Sequence, residues 1–114
     1  MLIIYGIPNC DSCRKTCAWL DSNAVKYRFH DLRKDGVETE LLQFWARSVD
    51  WRNLLNRRST TWRGLPESTR KKLDETEALA LMTEHPMLIK RPVTVSGKKI
   101  TVGFNEEVYR ELTG

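Results

Sequence analysis

The chain has 114 residues, 40% hydrophobic and 30% charged, with a net charge of +4. That length carries one domain with one modest core, so a single domain over residues 1–114 is expected. No stretch approaches the roughly 18 apolar residues of a membrane span, MLIIYGIPN lacks the basic region of a signal peptide, and pairs such as Arg57-Arg58 and Lys98-Lys99 make no long basic run. These features predict a cytoplasmic monomer with no membrane role and no direct nucleic-acid contact; small anionic partners suit the modest positive charge.

In chain order, LIIYG reads as a buried strand and Asp11 to about Asn23 as a helix, with Cys13, Cys17, Leu20 and Ala24 on one face. VKYRFHDL alternates Val25, Tyr27 and Phe29 against Lys26, Arg28 and His30, the pattern of a half-buried strand. Asp35-Gly36 reads as a turn before a helix with Leu41, Leu42, Trp45 and Val49 inward. A short, irregular stretch follows, with Asp50 and Ser59 as candidate caps. DETEALALMTEHP is a helix opened by an Asp74–Glu77 capping box and closed by Pro86. MLIKRPVTVSGKKITVGF supplies two strands around a turn at Ser96-Gly97, and NEEVYRELTG a last helix capped by Asn105. The order β-α-β, then a mostly helical insertion over about 37–85, then β-β-α predicts an α/β thioredoxin-like fold with a four-stranded mixed sheet.

The three cysteines, Cys10, Cys13 and Cys17, fall within eight residues. In a reducing compartment such a cluster is no disulfide framework. A metal site would need Cys10, Cys13 and Cys17 plus His30 or His85, but the second ligand pair of a zinc ribbon is missing. Redox chemistry remains, with no bound metal or organic cofactor expected. Cys10 leaves a strand through a loop stiffened by Pro8 and opens a helix, where free N–H groups and the helix dipole favour thiolate. Cys13 lies one turn on, in position to resolve a mixed disulfide. Arg14 and Lys15 add positive charge and Asp11 opposes it. Cys17 reads as a packing residue.

YGIPNCDSCRK at the first strand–helix junction resembles the arsenate-reductase (ArsC)-like branch of the thioredoxin superfamily. LMTEHPMLIKRPV is similar to that family's second signature, and YRFHD, LLNRRSTTWRGL and VGF resemble its YffB-type members. The resemblance implies that Cys10 is the nucleophile, that Arg91 contacts a bound anion and that Pro92 is the cis proline beside the site. A guanidinium there can also stabilise a thiolate and grip an oxyanion or carboxylate. Asn9, Asp11, Ser12, Arg58 and Pro92 form the expected substrate-binding set around the catalytic Cys10, Cys13 and Arg91. Arsenate reductases of this type place further arginines on the oxyanion; Asn56 and Gly103 stand at those positions here, and Cys13 stands where they have serine. The implied activity is therefore thiol/disulfide reduction, with glutathione as co-substrate and glutaredoxin as a candidate partner, rather than arsenate reduction. The Spx regulators, which bind RNA polymerase and use a cysteine pair as a redox switch, share the same resemblance and give the alternative; the shortness of this chain argues mildly against it.

Overall fold

The structure, a computed structural model, describes residues 2–113; Met1 and Gly114, the ends of the expected domain, lie outside the described residues. In chain order the elements are β1 (Leu2–Gly6), α1 (Asp11–Ser22), β2 (Tyr27–Asp31), α2 (Leu32–Asp35), α3 (Thr39–Val49), α4 (Trp51–Leu54), α5 (Thr60–Arg63), α6 (Glu67–Lys71), α7 (Glu75–Glu84), a 3-10 turn (Pro86–Leu88), β3 (Val93–Ser96), β4 (Lys99–Val102) and α8 (Glu106–Thr113). They divide into two compact units, Met1–Asp35 with Arg91–Gly114, and Gly36–Lys90. No described helix is long and apolar enough to cross a membrane.

The first unit is built on a four-stranded sheet in the order β2-β1-β3-β4. β1 runs parallel to β2, from Leu2↔Tyr27 to Gly6↔Asp31, and antiparallel to β3, from Leu2↔Ser96 to Tyr5↔Val93. The sheet is therefore mixed, with α1, α2 and α8 around it, as the sequence order predicts for a thioredoxin-like fold. Paired on both sides, β1 is nearly continuously apolar, as a central strand must be. Leu2 and Ile4 form a core with Leu20 of α1, and Trp19, Val25 and Tyr27 pack against it.

Several local expectations shift. Inside α1 the buried residues are Cys13, Thr16 and Leu20, while Cys17 is only half-buried. Thr16 can take the inward place because its hydroxyl is hydrogen-bonded there. Phe29 stays 37% exposed, because β2 is an edge strand bonded to β1 alone. β2 stops at Asp31, whose Oδ1 accepts from Arg33 and Lys34 N–H at 2.9 and 3.2 Å and so starts α2, which the alternating pattern had hidden. The β3–β4 turn is Gly97-Lys98, one residue later than read: Ser96 still pairs with Lys99, and Gly97 supplies the positive φ of 59° that the turn needs. β3 begins only at Val93, the preceding Met87 and Leu88 lying in the 3-10 turn.

The second unit is helical. Leu42, Trp45 and Ala46 form the inner side of α3, which packs on α4 and α7. Its short helices are started by side chains: Asp50 accepts from Arg52 N–H, Ser59 from Trp62 N–H and Asp74 from Glu77 N–H. Among the described residues, one isolated antiparallel bridge, Leu55↔Ile89, ties the chain after α4 to the end of the unit, flanked by Asn56 N–H to Leu88 C=O and Lys90 N–H to Leu54 C=O, both 2.7 Å.

Candidate active site

β1 delivers the chain through Gly6 and the buried Ile7 to an exposed Pro8-Asn9 turn. Cys10 then occupies the N-cap of α1 in an extended conformation (φ −107°, ψ 129°), and its carbonyl accepts from Arg14 N–H at 2.9 Å. This cap carries no side-chain hydrogen bond of ordinary geometry, as expected for a neutral thiol. The thiolate is different. Burial opposes its ionisation, but the Cys13 N–H, the Cys13 thiol, the Arg91 guanidinium and the Ser12 N–H all favour the anion, and together they hold Cys10 below the ordinary thiol range.

Cys13 is the opposite case. It is 1% exposed, and its thiol is pushed up to about 12, first by burial and then by the negative charge of Cys10; the Ile7 N–H and Arg91 only partly offset this. Of the two, Cys10 is the more readily ionised, and the Cys13 thiol is placed to donate toward its anion. Cys17 is shifted up, chiefly by burial, and bonds to Tyr27 near Asp21, so it is neither acidic nor aimed at Cys10.

Of the residues singled out in the sequence, Cys10, Cys13, Ser12 and Arg91 meet at the mouth of α1. Pro92 follows Arg91 through a cis peptide bond, and its carbonyl accepts from Gly103 N–H at 2.8 Å. Asn9 and Asp11 are exposed at the loop and helix start. Asp11 is paired with Arg14 at 3.4 Å, and Arg14 also donates to the Pro8 carbonyl at 3.4 Å. Both partners are well exposed, so this pair contributes little stability. Arg58 belongs to the other unit, where its backbone N–H donates to Asn56 Oδ1 and its side chain is exposed. His30 packs against Tyr5 in a tilted arrangement at 4.8 Å between ring centres, and His85 lies beside Glu84. Among the described residues, no three His, Cys, Asp or Glu side chains are placed together to hold a metal ion.

Pattern reading missed a buried hydroxyl network beneath the site. Tyr109 of α8 is fully buried, and its hydroxyl lies 2.9 Å from Thr94 Oγ1, 3.3 Å from Thr16 Oγ1 and 3.2 Å from the Gly103 carbonyl. Thr16 in turn donates to the Ser12 carbonyl at 2.9 Å. Through these bonds one phenol connects the first turn of α1 with the loop that holds Pro92. The one hint in the sequence was a tyrosine on the inner side of the last helix, which names no partner.

A family model described as the ArsC family matches residues 5–112. The chain belongs to the ArsC family. An uncharacterised protein of Haemophilus influenzae is 41% identical over 96% of each chain. The global transcriptional regulator Spx 2 of Bacillus anthracis is 28% identical over 98% of this chain and 86% of its own. Among solved structures, a YFFB protein superposes with a TM-score of 0.96 at 38% identity, covering 100% of both chains. This ArsC-family protein therefore has a thiol-oxidoreductase-like fold, and the proteins it is similar to include a global transcriptional regulator.

Proposed function

We propose that this ArsC-family protein is a thiol oxidoreductase that acts on disulfides, above all glutathione mixed disulfides. The observation that carries the reading is the asymmetric pair: a half-exposed Cys10 stabilised as thiolate beside a buried, protonated Cys13. The Cys10 thiolate attacks the glutathionyl sulfur of a mixed disulfide. A new Cys10–glutathione S–S bond forms, the old S–S bond breaks, and the substrate leaves as a thiolate that takes a proton from water. Cys10 has supplied the two electrons. A glutathione thiolate then attacks the glutathionyl sulfur on Cys10, releasing glutathione disulfide and restoring the Cys10 thiolate; a glutaredoxin is a candidate to do the same work. Resolution by Cys13 would instead expel glutathione and form the Cys10–Cys13 disulfide, but Cys13 is buried, and burial opposes the ionisation that its attack requires. The monothiol route is therefore favoured. Arg91 steadies the thiolate and offers a guanidinium to a substrate carboxylate.

The test is a trap. Cys13→Ser is incubated with oxidised glutathione, and mass spectrometry locates the adduct, expected on Cys10 and absent from Cys10→Ser. The pH profile of alkylation checks the same assignment. A lowered thiol pKa means that Cys10 is reactive below the usual thiol range, whereas Cys13 stays protonated until strongly alkaline pH. If Cys13 or Cys17 alkylated at lower pH than Cys10, the assignment would fall. A second reading, a redox-sensing regulator, is favoured by the near full-length similarity to Spx 2. Retention of an RNA polymerase subunit on immobilised protein, lost on oxidation, would move the assignment to it.

A further inference from the structure

Glycine inside a strand is usually unfavourable, and it often marks a place where another group must come close. Three described glycines, Gly36, Gly97 and Gly103, have positive φ and are required by the backbone. Gly6 does not, so its backbone would accept any residue. Its neighbourhood would not. A Cβ built on Gly6 would overlap Cys13 Sγ, with Cys13 Cβ at 3.5 Å and Phe29 Cε2 at 3.7 Å.

The reason lies in the alternation of β1. Leu2, Ile4 and Gly6 share one face of the strand. The first two pack on Leu20, near the C-terminal end of α1. At the other end of the same helix the facing residue is Cys13, and there the strand has no side chain at all. The sulfur fills the vacated space. From it the thiol reaches Cys10 on one side and the Ile7 N–H on the other.

We propose that Gly6 is a positioning residue: its missing side chain is the seat of Cys13 Sγ, and this seat holds the Cys13 thiol in hydrogen-bond reach of Cys10. The proposal rests on reading Cys10 and Cys13 as the reactive pair, but it is tested without turnover. With Gly6 substituted, the sulfur must leave the seat, and the Cys10 thiolate loses the hydrogen bond from Cys13.

The experiment is a double-mutant cycle on Gly6→Ala and Cys13→Ala, read by thermal unfolding and by the pH dependence of Cys10 alkylation. Gly6→Ala is expected to lower stability and to slow Cys10 alkylation at neutral pH by about 3- to 10-fold, as a smaller thiolate fraction requires. In the Cys13→Ala background the same substitution should neither lower stability nor slow alkylation, because no sulfur is left to displace. Gly64→Ala, where a new Cβ meets nothing nearer than 3.5 Å, controls for a general glycine-to-alanine effect. Should Gly6→Ala fail to fold while the double variant folds, the seat is confirmed more strongly still. Equal effects of Gly6→Ala in both backgrounds, or failure of both variants to fold, would overturn it. An inactive but fully coupled pair would remove the oxidoreductase reading and leave the seat standing.

Discussion

In the sheet unit, β1 has paired strands on both sides from Leu2 to Tyr5, and Gly6 still pairs with Asp31 of β2. In the helical unit, Gly36–Lys90, strand pairing among the described residues is limited to the bridge Leu55↔Ile89, and order comes from short helices begun by Asp50, Ser59 and Asp74. The difference teaches where chemistry can be held to a fraction of an ångström. Register fixes the end of β1, the end of β1 fixes the start of α1, and there Cys10, Cys13 and Arg91 meet. Capped turns fix themselves locally and rely on apolar side chains to hold them together.

If that contrast is right, the largest loss of stability should come from the apolar centre of the helical unit. Trp45 is fully buried on the inner side of α3. Trp45→Ala should cost about 3–5 kcal/mol in urea unfolding; a cost near that of a surface substitution would mean that capping, not packing, carries this unit. In the sheet unit the sharper probe is polar. Tyr109→Phe removes only a hydroxyl, yet takes a hydrogen-bond partner from the buried Thr94 and Thr16 hydroxyls and from the Gly103 carbonyl. About 1–3 kcal/mol is expected by the same assay, and a neutral result would dismiss the network as incidental.

The smallest effects should carry opposite signs in the two units. Ala24 and Asp50 both have positive φ, 55° and 65°. Ala24 closes α1 in a Schellman arrangement, with Ala24 N–H on Asp21 C=O at 3.1 Å and Val25 N–H on Leu20 C=O at 2.9 Å, a place that suits glycine. Ala24→Gly should therefore raise stability by up to about 1 kcal/mol. Asp50 uses its strained position: Oδ1 accepts from Arg52 N–H at 3.0 Å. Asp50→Ala keeps the strain and loses the cap, so a loss of about 1–2 kcal/mol is expected. Parallel shifts measured for both variants would show that the local accounting is wrong.

Much of this was legible in the amino-acid order. The caps at Asp50, Ser59, Asp74 and Asn105 follow from side chains that bond to N–H groups two or three residues away, so they need no knowledge of the fold. The β-α-β and β-β-α halves, and Cys10 at a helix mouth, follow from periodicities and breaks of similarly short range. What the sequence could not decide is set by contacts across long stretches of chain. Cys17 has the spacing of an inward residue, yet Thr16 takes that place because Tyr109, 93 residues later, offers it a hydrogen bond. Phe29 has the alternation of a buried residue, yet it is exposed because strand order puts β2 at the edge. The roles of Cys10 and Cys13 diverge for the same reason. Two identical thiols three residues apart become a stabilised thiolate and a protonated, buried partner only when Arg91, Ile7 and Gly6 are brought around them, because a pKa is a property of surroundings that tertiary structure alone assembles.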